Sequence, residues 1–189
     1  MMDSNSGWWL DVALPDSGDA VLLKAELYRA LCRSLGVDRL EELGCGDDAV
    51  VYALPGQKLA ARIAISSAPF SRFVDLSNRQ GSRHLPRVVH HADNGHLSLT
   101  IMEHLEPAPD PADIAFWADA NAAAALAYTR LDERPCSDGP HKPGLYEIAA
   151  LLGDLAREQN YALDLNRNNI LRRGGGDVVF SDVWCGWGE

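Results

Sequence analysis

The chain has 189 residues, enough for one domain with a sizeable core or for two small lobes sharing a cleft. Its composition, 47% hydrophobic and 23% charged, is that of an ordinary soluble globular protein. The formal net charge of -10 argues against bulk attraction to DNA, RNA or an anionic membrane, because phosphate-rich surfaces recruit basic faces; it permits a basic protein partner.

Four cysteines, Cys32, Cys45, Cys136 and Cys185, form no Cys-x-x-Cys pair, which removes a zinc ribbon or a thioredoxin-type site. Reduced and mostly buried thiols are expected. No basic-then-apolar leader opens the chain, and no apolar run approaches the roughly 20 residues that cross a bilayer. The expectation is a cytoplasmic protein without a membrane contact.

Residues 1–15 read as irregular, with Trp8 and Trp9 expected to pack on the folded body. A helix is predicted over 18–35, where Val21, Leu22, Ala25, Leu27, Tyr28, Leu31, Cys32 and Leu35 recur at three- and four-residue steps. Asp16 or Ser17 offers its N-cap and Gly36 its stop. From 40 to 105 the pattern is that of strands. Residues 49–54 and 59–65, separated by Pro55-Gly56-Gln57, predict a hairpin. Residues 70–80 fit a short helix. Residues 87–92 and 96–103 flank Asp93-Asn94-Gly95, a second strand–turn–strand unit.

The stretch Pro107-Ala108-Pro109-Asp110-Pro111 reads as a linker between a strand-rich half and a helical half. An alanine-rich helix follows over 112–130, then a loop over 133–143. A helix over 144–159 carries Leu145, Ile148, Leu151, Leu152 and Leu155 on one face. A last hairpin joins 169–172 to 177–182 across Gly174-Gly175-Gly176.

Three segments carry chemistry because of their order. In Leu43-Gly44-Cys45-Gly46-Asp47-Asp48-Ala49-Val50-Val51, glycines at a turn between strands let backbone N–H groups approach phosphate oxygens. In Asp164-Leu165-Asn166-Arg167-Asn168-Asn169, an Asp and an Asn five residues apart can divide two tasks, orienting an attacking hydroxyl and holding a metal ion. Asp182 ends a short strand 13 residues after Asn169, where a carboxylate can bind Mg²⁺ that bridges phosphates. His90, His91, His96, Glu41 and Glu42 read as structural or solvated. No serine sits in a nucleophile-elbow context.

This string resembles the protein-kinase superfamily, with its glycine-rich loop, strand lysine, His-Arg-Asp-x-x-x-x-Asn loop and Asp-Phe-Gly. The resemblance implies that Gly44 and Gly46 belong to a phosphate loop. Asp164 becomes the catalytic Asp, while Asn169 and Asp182 become the Mg²⁺ ligands. Leu99–Leu105 resembles the last N-lobe strand and hinge, with backbone at 103–105 bonding adenine. Val51, Glu103 and Leu105 thereby join Gly44, Gly46 and Arg62 in the nucleotide-binding set. Residues 43–184 are similar, more narrowly, to the early serine/threonine kinases of short-tailed phages, through Leu-Gly-x-Gly, Leu85-Pro86-Arg87-Val88, an Asp-x-x-x-x-Asn loop lacking His-Arg, and a final Asp without Phe-Gly.

The departures are as specific. Arg62 stands where the family places lysine, and the two are not equivalent; Lys58 is the alternative phosphate grip. The helix glutamate has no clear counterpart, Asp75 being nearest. Asp47 and Asp48 add negative charge to the phosphate loop. Ala162-Leu163 replaces His-Arg, Val183-Trp184 follows Asp182, and the seven residues after Asp182 leave no room for an activation segment.

The expected fold class is α+β, a minimal bilobal kinase-like fold: an N-terminal extension and helix (1–36), a strand-rich N-lobe (37–106) and a truncated helical C-lobe (107–189). The expected function is ATP- and Mg²⁺-dependent phosphoryl transfer to Ser or Thr of a host protein. Asp164 would orient the hydroxyl, and Arg62 or Lys58 would steady the phosphates. The expected place is the bacterial host cytoplasm. One alternative is a pseudokinase that binds and inhibits a partner. Another is small-molecule phosphorylation of the aminoglycoside phosphotransferase kind, which uses a larger C-lobe.

Overall fold

Residues 12–15, 18–46, 48–129 and 144–186 are described by the computed structural model. They form an α+β chain whose contacts separate into two units. The first runs to Ser67 and takes in Val88–His104; the second joins Ala68–Arg87 to the residues from Leu105 onward. Residues 68–87, which precede the proline-rich linker in sequence, thus belong with the C-terminal elements.

In the first unit, helix α1 (Ala20–Leu35) begins at Asp19, whose carboxylate accepts from the N–H groups of Val21 at 2.9 Å and Leu22 at 3.3 Å. Such a cap satisfies donors that the first turn leaves open. Asp16 and Ser17, the expected caps, lie outside the described residues. Gly36 ends the helix in the left-handed region at φ 66°, as its position implied. The buried stripe is Leu23, Leu27, Leu31 and Cys32. Val21 and Leu22, expected inside, are exposed, because they lie off the four-residue stripe that begins at Leu23.

Five antiparallel strands follow: β1 (Glu42–Cys45), β2 (Ala49–Ala53), β3 (Leu59–Ile65), β4 (Val88–Asp93) and β5 (Leu97–Glu103), in the order β1-β2-β3-β5-β4. Alternation sends Ala61, Ile63, Leu97, Leu99 and Ile101 into a core shared with Leu23, Leu27, Leu31, Leu40 and Leu54. Each fully buried leucine there contributes about 1.5–3 kcal/mol. The β4–β5 turn is fixed by Asn94, whose side-chain oxygen accepts from His96 N–H at 3.1 Å and Leu97 N–H at 3.0 Å, while Gly95 takes φ 84°.

The second unit contains α2 (Ala68–Gln80), β6 (Glu106–Pro107), α3 (Ile114–Tyr128), α4 (Leu145–Gln159), β7 (Tyr161–Leu163), β8 (Ile170–Arg173), β9 (Asp177–Phe180) and β10 (Trp184–Gly186). Helices α3 and α4 meet through small residues. Ala120, Ala123 and Ala127 of α3 and Ala149, Gly153 and Ala156 of α4 are all buried, and Gly153 lies against Ala127. At Gly153 a Cβ would stand 2.8 Å from the Ala127 carbonyl carbon and 3.0 Å from its Cα, so only glycine fits. Leu151 and Leu155, expected on the core face, are half-buried beside it.

Strands β6, β8 and β9 form one antiparallel sheet, and β7 pairs with β10 in another. Trp184 anchors β10: its indole N–H donates to Leu152 C=O at 3.1 Å, and its ring meets Phe73 edge-on at 6.0 Å. Tyr128 O–H donates to Leu163 C=O at 3.0 Å and ties β7 to α3. The 133–143 loop and Trp8-Trp9 lie outside the described residues. Among the described residues no helix is long and apolar enough to cross a membrane.

Candidate functional site

The first group of predicted residues gathers on the sheet of the first unit. Gly46 N–H donates to Ala49 C=O at 2.8 Å, which closes the β1–β2 turn, and Ile65 N–H donates to Asp48 C=O at 3.0 Å, which sets that turn beside the end of β3. Gly44 and Gly46 have no need of glycine from their own surroundings. Neither has a positive φ, and a Cβ at either would meet nothing within 4 Å. Asp48 is exposed; Asp47 lies outside the described residues. Cys45 is exposed in this turn, and a hydrogen bond and negative charge from Glu42 hold its thiol pKa up.

Strand register lines up Gly44, Val51, Arg62, Thr100 and His91 across four junctions, so the row crosses the sheet from β1 to β4. Cross-strand partners share a face. Arg62 stands in the middle of that row and is only 7% exposed. Its neighbours on the same face are small: Ala60 and Ala64 along β3, and Ser98 with Thr100 on β5. Thr100 is fully buried and its hydroxyl bonds His91 Nδ1 at 2.8 Å.

Lys58 is separated from this row. It is exposed just ahead of β3, while the glycine turn adjoins Ile65 at the strand's other end, about 23 Å away at the usual rise per residue. Its carbonyl accepts from His104 N–H at 3.0 Å. Glu103 closes β5 opposite Leu59, and the boundary between units falls between His104 and the buried Leu105. Asp75 lies on the exposed face of α2.

The second group gathers in the second unit, where the backbone draws three predicted residues together. The β7–β10 ladder continues past Leu163 into a bond from Asp164 N–H to Val183 C=O at 2.8 Å, so Asp182 is one residue from the point facing Asp164. Ser181 N–H and Oγ donate to Asn169 C=O at 2.9 and 3.2 Å, which fixes Asn169 next to the same turn. The Asn169 amide donates to the Asp164 carbonyl and to Asp164 Oδ2, both at 2.9 Å. Both of those atoms only accept, so the amide nitrogen must face them and Oδ1 is the acceptor that Asn169 has left.

Asn166, to which the motif assigns no role, donates to Asp164 Oδ1 at 2.7 Å and accepts from Asn168 N–H at 2.8 Å. It caps the short 3₁₀ turn Arg167–Asn169. An Asn whose side chain can accept from the backbone N–H two residues on is the signal of such a turn. Arg167 stacks over Trp117, 4.9 Å from the ring centre, while the Trp117 indole donates to Pro109 C=O.

Cys185 sits beside this cluster. Burial raises its thiol pKa first, and the negative charges of Asp164 and Asp182 raise it further. Both carboxylates therefore act at one point. The expectation of mostly buried thiols is corrected here: Cys32 is buried, but Cys45 and Cys185 are exposed because they sit in short edge strands, and Cys136 lies outside the described residues. All three described cysteines are free thiols.

Among the described residues no group of three His, Cys, Asp or Glu side chains could enclose a metal ion. Compared with known proteins, the chain matches no family model and no curated protein.

Proposed function

We propose that the chain is a reduced protein-kinase-like phosphotransferase. The two units would be its lobes, and it would move the γ-phosphoryl group of ATP to a Ser or Thr hydroxyl of a protein. The observation that carries this reading is the setting of Asp164. Two asparagine amides hold its carboxylate, and a strand pair brings Asp182 next to it.

Each oxygen of that carboxylate has a second lone pair, so the group can still accept the proton of an incoming hydroxyl. The hydroxyl oxygen forms the new bond to phosphorus, the bond to the ADP oxygen breaks, and the proton leaves towards Asp164. The oxygen donors fit Mg²⁺. Asp182 and Asn169 Oδ1 are hard ligands, and Mg²⁺ typically takes one or two carboxylates plus phosphate oxygens rather than a closed protein cage. Bound Mg²⁺ would neutralise charge that builds on the phosphates. Gly44 and Gly46 fit a phosphate grip, since neither has a positive φ and no described residue would crowd a Cβ there. Arg62 shares the row of Gly44 and Val51, which favours it over Lys58 as the charged grip. Glu103 and Leu105 would offer backbone to the adenine.

The phage-kinase resemblance extends the proposal to substrates in a bacterial host cytoplasm. Labelled ATP with Mg²⁺ and a bacterial lysate is the test. Label on lysate proteins that vanishes with Asp164→Ala supports the proposal; absence of label with a folded, nucleotide-binding protein overturns it. The buried arginine in place of lysine favours one second reading, a pseudokinase that inhibits a host protein by binding. That reading expects host toxicity without any transfer.

A further inference from the structure

The turn that joins α2 to β4 carries a buried, hydrogen-bonded histidine outside the proposed site. His84 is fully buried. Its Nδ1 meets Val178 C=O at 2.8 Å, and its own carbonyl accepts from Phe180 N–H at 3.0 Å. Those groups lie on the edge of β9 that faces away from β8, an edge that no strand among the described residues pairs with. His84 therefore closes it. Arg173, at the end of β8, clamps the same turn by donating to the carbonyls of Arg83 and, at 3.0 Å, Leu85. Arg83 in turn reaches Asp177 at 3.9 Å.

We propose that His84 is a positioning residue for Asp182. It pins β9 at Val178 and Phe180, so that the strand delivers Asp182 beside Asp164. From Phe180 to Asp182 is two residues, and the intervening Ser181 is already fastened to Asn169 on the other edge. With both edges bonded, Asp182 has little backbone freedom to leave its place. This inference rests on the phosphotransfer reading for the role of Asp182, but the pinning of β9 stands without it.

The pin needs a neutral ring. Nδ1 faces a carbonyl and so carries the proton, and Nε2 accepts from Arg83 Nε at 3.3 Å. A second proton on Nε2 would meet that donor inside a buried site. The charged groups facing the ring are Arg83, Arg173 and Asp177. Burial lowers the His84 pKa, the two arginines add to that, and the Val178 carbonyl and Asp177 oppose it.

The test compares wild type, His84→Asn and His84→Leu, with Mg²⁺–ATP as the probe. Asparagine keeps a donor near the Nδ1 position but cannot titrate; leucine removes the donor. Loss of a supporting bond behind a metal ligand costs about 10- to 100-fold in metal affinity, and that weakening is expected for leucine, with asparagine close to wild type. Acidification below about pH 6.5, the ordinary histidine value, should weaken the wild type more than the asparagine variant, which has no ring to protonate. Equal affinity in folded leucine variant and wild type overturns the proposal, as does identical acid weakening in wild type and asparagine variant. Should the leucine variant not fold, the pH comparison alone decides. If no variant binds Mg²⁺–ATP at any pH, the phosphotransfer reading has failed. Exchange protection of the Phe180 amide then decides the pin: loss in leucine and retention in asparagine supports it, and unchanged protection overturns it.

Discussion

Asn169 grips Asp164 twice, with one amide nitrogen 2.9 Å from both the backbone carbonyl and the carboxylate. The grip fixes the carboxylate in one orientation without using a positive charge. On the proposed phosphotransfer reading, Asp164→Ala is expected to abolish transfer while leaving nucleotide affinity nearly unchanged, because that reading has Asp164 act on the hydroxyl and not on the nucleotide. Asp182→Ala should instead weaken Mg²⁺–ATP binding itself, read as loss of the ligand-induced thermal shift. Variants that lose only stability would make both residues structural.

Gly44→Ala and Gly46→Ala separate fold from ligand. A methyl group at either site meets only open space, so stability should hold or rise by about 0.4–1 kcal/mol through a less flexible unfolded chain. Nucleotide affinity should fall several-fold if phosphates approach that backbone. Unchanged affinity in both variants would remove the phosphate-loop assignment.

If Arg62 is the proposed phosphate grip, Arg62→Ala should lower transfer sharply, by about 10- to 1,000-fold on the scale of a lost electrostatic grip. Arg62→Lys should keep part of the activity, and Lys58→Ala should be mild, since Lys58 lies at the far end of β3. The reverse ranking, measured on variants that melt near wild type, would move the role to Lys58.

Gly153→Ala should destabilise by about 1–3 kcal/mol, the usual range for forcing extra volume into a packed contact. The added methyl collides with Ala127 backbone, which cannot step aside as a side chain could. Urea unfolding checks this. A neutral result would mean that α3 and α4 can separate at low cost.

Stability should fall on mild acidification. Burial lowers the folded-state pKa of His84 and of His90, whereas the unfolded chain takes up protons near about pH 6.5. Below that pH the unfolded state binds more protons, so stability is full above it and drains as pH drops through the lower folded values. His84→Asn should remove one share of this slope and leave that of His90. A flat urea midpoint from about pH 7.5 to about pH 5.5 would contradict the shifts.

Much of the first unit was legible. Strand β3 and its alternation, the Asn94-Gly95 turn and the Gly36 stop all follow from side-chain period and turn chemistry. The spacing of Asp164, Asn169 and Asp182 could be read, because two motifs flank one hairpin. Strands β7 and β10 could not. Three residues give no periodicity, and their pairing joins positions 21 to 25 apart. The grouping of 68–87 with the later helices is a matter of packing, which a local pattern does not encode. His84 was invisible for the same reason: a single histidine in a turn has no neighbours in sequence that announce its carbonyl partner 94 residues away.

The β7–β10 pair makes the acidic cluster a closed loop tied by three residue pairs, from Leu163 opposite Trp184 to Tyr161 opposite Gly186. A knot that short can open while the helices stay folded, since partial opening needs only a fraction of the global free energy. Asp164 and Asp182 would then part together. Heating should consequently open the cluster in a first, reversible stage, below the temperature at which α3 and α4 come apart, and amide exchange in β7 and β10 ahead of that in α3 and α4 would record the two stages separately.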